Sequence, residues 1–138
     1  NVYGPYSYHK TSLIHNSIKN SLSGNKQIIF GNGKQTRDFI YVKDLVKLIS
    51  IICKKKIPGT FNIASGKSYN IDYILNVFIK KNNKFNFKKI QKKVGEVETV
   101  KLNNKKLLKK LKIKKRFFTL LKNGLIETYE WYNKNLVQ

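Results

Sequence analysis

The sequence predicts an α/β fold, and three observations support this prediction. Short apolar runs with the length of buried strands alternate with longer segments whose apolar residues recur at helical spacing. Glycine and proline separate the two kinds of segment, and 41% of the 138 residues are hydrophobic, as in globular domains. Neither a long linker nor an internal repeat divides the chain, so we expect one domain over residues 1–138.

The first part of the chain is predicted to contain two strands and one helix. Residues 1–10 are expected to hold the end of a strand running into a loop, because a Gly-Pro pair interrupts them. Apolar residues recur at helical spacing over residues 11–22, and Gly24 supplies the helix stop. Residues 27–30 are predicted to form a strand, and the glycine-rich turn at 31–33 is predicted to be the hinge of a hairpin.

The middle of the chain is predicted to continue the alternation of strands and helices. Residues 39–42 are apolar on both faces and should form a buried strand, after which Asp44 favours the start of a helix that ends near residue 54. Residues 60–64 (TFNIA) are predicted to form a third strand, paired beside the strand that begins the chain. Asn70 is predicted to cap the next helix.

The last part is rich in lysine. Residues 85–94 are predicted to form an edge strand whose lysines discourage further pairing, followed by an extended loop over 95–101. Residues 104–111 should form a short basic helix with its leucines on one side. Thr119 is expected to cap a final helix with a wide apolar face.

The formal net charge of +22 raises the possibility of a polyanionic partner. The excess is almost all lysine, accompanied by abundant asparagine and isoleucine, which a coding bias toward A and T produces on any solvated surface. Roughly half of the basic residues fall between Lys80 and Arg116. We expect no nucleic-acid partner, and a basic module that binds nucleic acid or another polyanion remains the alternative.

Other function classes lack support in the sequence. No window approaches 18 uncharged apolar residues, and the first residues do not resemble a signal peptide, so we expect a cytoplasmic protein with no membrane partner. Cys53, the only cysteine, lies in an apolar helical run and is expected to be buried. His9 and His15 have no neighbouring ligands that would predict a metal site. Because the chain starts at Asn1 and contains no methionine, we expect it to be processed or partial.

The stretch GNGKQTRDFIYVKDL, residues 31–45, contains Arg37, one of only two arginines in the chain. Arginine offers a rigid fork of donors that binds phosphate at two points, whereas lysine acts as a point charge. In a chain that uses lysine almost everywhere, the arginine indicates that fork geometry matters. The alternative is that Arg37 simply pairs with a neighbouring carboxylate such as Asp38.

The order of motifs resembles a known family. NVYGP, a helix, IIFGNGKQTRDFIYVKDL, FNIASG, VGE and GLIETYEWY follow one another as in NAD-dependent nucleotide-sugar epimerases and dehydratases, the extended short-chain dehydrogenase/reductases. The resemblance covers essentially all 138 residues. It implies the C-terminal, substrate-binding part of this Rossmann-type fold, with the N-terminal NAD-binding sheet missing.

The resemblance also has implications for cofactor and activity. The family's glycine-rich NAD loop and its catalytic tyrosine–lysine pair have no counterpart in these 138 residues. The resemblance therefore implies NAD in the complete enzyme, no cofactor bound by this chain alone, no catalytic residue within it and no activity of the isolated chain. The implied partner is a nucleoside diphosphate sugar, and the complete enzyme could be a homodimer.

Four candidate substrate-binding residues come from the first part of the resemblance. Asn1 matches an asparagine near the phosphates of the nucleotide-sugar, with a strand-end role as its alternative. Ser12 and Leu13 match the region against the nucleobase, with ordinary helix packing as the alternative. Phe30 matches the residue that packs against the base, and it could equally be a core aromatic.

Three further candidates carry charge. Arg37 matches the arginine that binds the diphosphate. Lys93 and Glu96 stand where the family usually has arginine and aspartate, at the ribose and phosphates. Lysine keeps the positive charge but cannot form the two-point contact, so this corner departs from the family pattern.

Overall fold

The structure is a computed structural model that describes residues 1–136. Short strands alternate with helices, which confirms the predicted α/β class. The elements in chain order are β1 (Val2–Tyr3), α1 (Leu13–Ser23), β2 (Gln27–Phe30), β3 (Thr36–Asp38), β4 (Ile40–Tyr41), α2 (Val42–Lys54), β5 (Ser68–Asn70), α3 (Ile71–Lys81), β6 (Phe87–Ile90), α4 (Lys105–Leu111), a 3₁₀ turn (Lys115–Phe117) and α5 (Leu121–Leu136).

The strands form three two-stranded sheets, and every pair joins distant parts of the chain. β1 runs parallel to β4, and β2 runs parallel to β6, with Gln27 opposite Phe87. β3 runs antiparallel to β5, with Arg37 opposite Tyr69. β6 is shorter than the predicted strand over 85–94 and forms the edge beside β2.

The predicted hairpin at residues 31–33 is wrong. β2 and β3 flank this turn, but each pairs with a strand far along the chain. The two glycines still do the local work expected of them, because Gly31 and Gly33 have φ values of 81° and 83°. The side chain of Asn32 completes the turn by accepting a hydrogen bond from the backbone N–H of Lys34 at 2.9 Å.

The predicted strand over residues 60–64 is also wrong. β4, rather than this segment, pairs beside β1. Side chains hold this segment instead of a strand ladder. The Asn104 amide donates to the carbonyl of Ala64 at 2.8 Å. The backbone N–H groups of Ser65 and Gly66 donate to the two carboxylate oxygens of Asp38 at 3.0 and 2.9 Å.

Most helix boundaries agree with the prediction. Gly24 ends α1 in the left-handed conformation with φ 71°, and the Asn70 side chain caps α3 by accepting from the N–H of Tyr73 at 2.8 Å. α2 begins at Val42, within the predicted strand over 39–42, and ends at Lys54 as expected.

The predicted role of Thr119 as a helix cap is wrong. Its backbone N–H and its hydroxyl donate to the Asp44 carboxylate at 2.7 and 3.0 Å. Asp44 lies in the first turn of α2 and is buried. The two residues therefore link the start of α5 to the start of α2.

Cys53 is exposed, so the predicted buried thiol is wrong. It lies on the outer side of α2 with Val46 and Ile49, which are 58% and 45% exposed, whereas Leu48 faces the core. α2 therefore contains more apolar residues than its buried face accommodates.

Two hydrophobic clusters form the core. The larger one packs α1, α3 and α5 together and contains Ile18, Phe78 and Leu125. The smaller one joins α2 to α4 and includes two of the three leucines predicted to line one side of α4, Leu107 and Leu111. Among residues 1–136, no helix is both long and apolar enough to cross a membrane.

α5 approaches β1 closely at one glycine. A Cβ atom at Gly124 would collide with the hydroxyl of Tyr3, which is itself buried. Glycine at this helix position therefore lets α5 pack directly on the tyrosine ring.

Candidate functional site

A cavity of about 460 Å³ lies where β1, the start of α1, β2 and β3 meet. It brings together most of the residues that the sequence singles out. Six of the seven predicted site residues line it: Asn1, Ser12, Leu13, Phe30, Arg37 and Glu96.

Asn1 lies at the edge of the cavity, next to β3. Its side-chain amide donates to the backbone carbonyl of Asp38 at 2.9 Å, and its own carbonyl accepts from the N–H of Ile40. These bonds extend the pairing of β1 with β4 by one residue. The side chain of Asn1 is therefore fixed in place before any ligand binds.

Arg37 is held on the cavity side of β3 by three contacts. Its Nη1 donates to the carbonyls of Thr36 at 2.9 Å and Glu98 at 3.4 Å, while its Nη2 lies 3.5 Å from Glu96 Oε1. The side chain is 18% exposed. The alternative pairing with Asp38 does not occur, because successive side chains of a strand point to opposite faces.

Glu96 contributes an unusual carboxylate to the cavity. Oε1 faces Arg37, but Oε2 is buried and has no hydrogen-bond partner among residues 1–136. Buried polar atoms are almost always hydrogen-bonded, so an unmatched acceptor in a cavity wall indicates a place for a ligand hydroxyl or N–H.

Lys93, the seventh predicted residue, lies over the ring of Phe30, with Nζ 4.0 Å from the ring centroid. This cation–π contact places a positive charge on the ring of Phe30, which lines the cavity. Lys10, which was not predicted from the sequence, also lines the cavity. The cavity thus combines an aromatic face with cations around a single carboxylate, which suits an anion that carries a planar group.

His15 was considered from the sequence only as a metal ligand, and its contacts to Ser7 and Ser12 were not predicted. The ring is fully buried in α1, and Ser7 and Ser12 bond its two nitrogens. Burial, reinforced by the charge of Lys10, lowers the pKa of His15 to about 4, so the ring is neutral near pH 7. A polar residue at a buried helical position was the available signal.

The glycine turn at residues 31–33 does not match an NAD pyrophosphate loop. It leads into β3 rather than into a helix, and the carbonyl of Gly33 already accepts from the backbone N–H of Asp72, in the first turn of α3, at 3.1 Å. The carboxylate of Asp72 packs against Gly33 and pairs with Lys89 at 2.8 Å. Within residues 1–136, no group of histidine, cysteine and acidic side chains could hold a metal ion.

Comparison with known sequences gives one family match and several relatives. The model of the family described as GDP-mannose 4,6 dehydratase matches residues 1–123. A dTDP-glucose 4,6-dehydratase from Escherichia coli is 37% identical over 76 residues, which cover 54% of this chain and 21% of that protein. An ADP-L-glycero-D-manno-heptose-6-epimerase from Fusobacterium nucleatum is 33% identical over 79 residues, which cover 49% of this chain and 24% of that protein.

Solved structures share the fold over almost the whole chain. A UDP-N-acetylglucosamine 4-epimerase from Methanobrevibacter ruminantium M1, in complex with UDP-N-acetylmuramic acid, has a TM-score of 0.84 and 26% identity over 97% of this chain and 44% of that one. A dTDP-glucose 4,6-dehydratase from Bacillus anthracis, in complex with NAD, has a TM-score of 0.83 and 26% identity over 98% and 43%. The chain thus spans less than half of these structures, and its matched segment spans about a fifth of the curated relatives.

Proposed function

This chain belongs to the GDP-mannose 4,6-dehydratase family of NAD-dependent nucleotide-sugar epimerases and dehydratases, and from that premise we propose that its cavity binds a nucleoside diphosphate sugar. The observation that carries the proposal is the convergence of Arg37, Glu96 and Phe30 in one cavity. These residues come from three separate segments, and together they offer a phosphate-binding fork, an acceptor oxygen and an aromatic face.

The charged residues are assigned to the diphosphate and ribose. Arg37 is held by two carbonyls and Glu96, and its fork retains donors for phosphate oxygens. The free Oε2 of Glu96 accepts from a ribose hydroxyl. Lys93 neutralises phosphate charge from its position on Phe30, and the Asn1 amide lies near the phosphates.

The apolar side of the cavity is assigned to the base. Phe30 and Leu13 present apolar surface, and Ser12 at the start of α1 adds a polar contact. Burial of a flat base against an aromatic ring contributes binding energy without requiring a unique hydrogen-bond pattern.

We further propose that this chain supplies binding rather than chemistry. Contacts to the remote nucleotide hold the sugar in place for reaction, and NAD in a complete enzyme would supply the redox chemistry. The tyrosine–lysine pair and the NAD loop of the family are not among the 138 residues. We therefore expect the purified chain alone to show no epimerase or dehydratase turnover, and measurable turnover would contradict this.

A basic module that binds nucleic acid or another polyanion is the alternative, and one observation favours it. Ten basic residues and no acidic one stand between Glu98 and Glu127. This alternative predicts DNA binding whose affinity falls steeply with salt, by roughly one log unit per contacted phosphate for each log unit of salt. It gives no reason for the arrangement around Arg37.

Calorimetric titration of the chain with UDP, TDP and GDP tests the proposal, using the two arginines as a matched pair. Arg37→Lys keeps the charge but removes the fork, so we expect at least one nucleotide to bind about tenfold more weakly. Arg116→Lys makes the same change in the exposed 3₁₀ turn and should leave affinity unchanged.

The other outcomes are equally informative. Equal affinity of the wild type and Arg37→Lys would show that this arginine does not bind the diphosphate. Absence of binding to all three nucleotides would indicate a purely structural remnant, and salt-sensitive DNA binding in its place would support the basic module.

A further inference from the structure

The ring of His15 is held between two serine hydroxyls. Its Nε2 lies 2.6 Å from Ser7 Oγ, and its Nδ1 lies 2.6 Å from Ser12 Oγ. Ser7 is buried in the loop between β1 and α1, whereas Ser12 is exposed and lines the cavity. The three side chains therefore connect the protein interior to the cavity wall.

The other bonds of Ser7 fix the direction of the whole chain of hydrogen bonds. Ser7 Oγ donates its single hydrogen to the carbonyl of Gly4 at 2.7 Å, so it can only accept from His15. The ring proton of a neutral His15 must then be on Nε2. Nδ1 carries a lone pair and accepts the hydrogen of the Ser12 hydroxyl.

The side chain of Ser12 does not cap α1, the helix that it precedes. It occupies the N-cap position of α1 with φ −71° and ψ 161°, the usual backbone of a capping serine, yet its side chain makes no capping bond in the described chain. Its hydroxyl bonds only to His15 among residues 1–136. The lone pairs of Ser12 Oγ are therefore available to the cavity.

We infer that His15 is a positioning residue that holds the Ser12 hydroxyl as a hydrogen-bond acceptor toward the ligand. A serine hydroxyl normally rotates and can either donate or accept, so it does not select between donor and acceptor groups. With its hydrogen committed to His15, Ser12 favours a base edge that donates an N–H, such as N3 of uracil or thymine. It disfavours a lone pair, such as N3 of cytosine. This inference rests on the proposed nucleotide-binding function.

The hydrogen-bond pattern can be measured without a ligand. Nitrogen-15 NMR of the histidine side chains distinguishes the two tautomers and the charged ring. We expect His15 at pH 7 as a neutral ring protonated at Nε2. A ring protonated at Nδ1, or a charged ring, would overturn the inference.

The ratio of UDP to CDP affinity in the wild type and three variants tests this selection. The wild type should favour UDP, and His15→Phe, which frees the Ser12 hydroxyl to rotate, should lower this ratio by about tenfold. His9→Phe makes the same change at an exposed position and should keep the ratio. Inorganic pyrophosphate should bind His15→Phe and the wild type equally, because the Arg37 corner is unchanged.

Ser12→Ala keeps the test decisive if His15→Phe fails to fold. Ser12 is exposed, so its truncation should leave the circular dichroism spectrum intact while lowering the UDP-to-CDP ratio about as much. An unchanged ratio in a folded His15→Phe or Ser12→Ala protein would overturn the inference. Failure of the wild type to bind any nucleotide would instead refute the proposed function and, with it, selection by Ser12. The nitrogen-15 chemical shifts of His15 would still report its tautomer independently of nucleotide binding.

Discussion

The two faces of β3 carry side chains of opposite charge, and these side chains differ in how completely the protein bonds them. Asp38, on the inner face, is 1% exposed and accepts three hydrogen bonds from the backbone and hydroxyl of Ser65 and the backbone of Gly66. Arg37, on the cavity face, is 18% exposed and makes a 3.5 Å contact to Glu96, which has an oxygen without a partner. Adjacent residues of one strand thus differ in how completely the protein satisfies them.

We propose that this difference separates a structural charge from a binding charge. The bonds of Asp38 hold Ser65 and Gly66 in place, so its contribution is expected in the free energy of unfolding. Arg37 has donors left over and a partner that is also incompletely bonded, so its contribution is expected in ligand affinity. Of the four predictions below, ordered from the largest expected effect to the smallest, those for Asp38 and Arg37 test this division.

Asp38→Ala should lower the free energy of unfolding by about 4 kcal/mol, because it leaves three buried or half-buried donors without an acceptor. Urea denaturation followed by circular dichroism measures the loss. Ser65→Ala removes only the hydroxyl bond and should cost about 1 kcal/mol. Equal losses in the two variants would show that the backbone bonds to Asp38 contribute nothing.

The stability of the chain should fall between pH 6.5 and pH 4, because the buried ring of His15 is harder to protonate in the fold than in the unfolded chain. The pKa of His15 is lowered to about 4 in the fold, mainly by burial, against 6.5 in the unfolded chain. The unfolded state therefore binds more protons in this window, and up to roughly 3 kcal/mol is lost as pH falls through it. Urea titrations at stepped pH measure the slope.

His15→Phe is the control for this pH dependence. It removes the titrating group, so the slope in the same window should flatten. A slope that persists in the variant would assign the effect to other groups.

Gly124→Ala should destabilise the chain by about 2 kcal/mol, although alanine is the better helix former. The added methyl group collides with the hydroxyl of Tyr3, a residue that both packs in the core and lines the cavity. Thermal melts of Gly124→Ala, Tyr3→Phe and the double variant measure the coupling. Tyr3→Phe removes the colliding oxygen, so it should restore part of the loss, and strict additivity would argue against the collision.

Arg37→Ala should lower the free energy of unfolding by about 1 kcal/mol, less than Asp38→Ala does, because its 3.5 Å contact to Glu96 is long for an ion pair and both side chains remain partly exposed, at 18% and 22%. The same variant should lose most of its nucleotide affinity. Urea denaturation and calorimetry on one preparation measure both quantities. A loss of stability comparable to that of Asp38→Ala would erase the distinction between the two faces of β3.

Local patterns in the sequence were sufficient where local chemistry decides the structure. Gly24, Asn70 and the leucines of α4 were predicted correctly, because a left-handed stop, a side-chain cap and a helical apolar face each depend on a few neighbouring residues. The family resemblance supplied the seven site residues, which the fold brings to one cavity and its edge.

The errors arose where distant residues decide the structure. Residues 60–64 alternate as a strand does, with half-buried Phe61 and Ile63 on either side of exposed Asn62. Distant side chains nevertheless bond this segment, since Lys106 donates to the carbonyl of Thr60 and Asn104 donates to that of Ala64. The predicted hairpin was wrong for the same reason, since β2 pairs with β6 rather than with β3. The burial predicted for Cys53 was wrong because composition alone does not indicate which face of α2 packs against the core.

We expect the parallel pairing of β2 with β6 to form late in folding. Gln27 and Phe87 are brought side by side only after a long loop has closed, and such contacts form more slowly than helices do. Glu96 lies beyond β6, and Glu98 and Val100 bond the backbone of Thr36, so Glu96 meets Arg37 once these distant segments have come together. A chain paused before that step would have its helices but not its cavity, and amide hydrogen exchange at β6 would report when the binding site first exists.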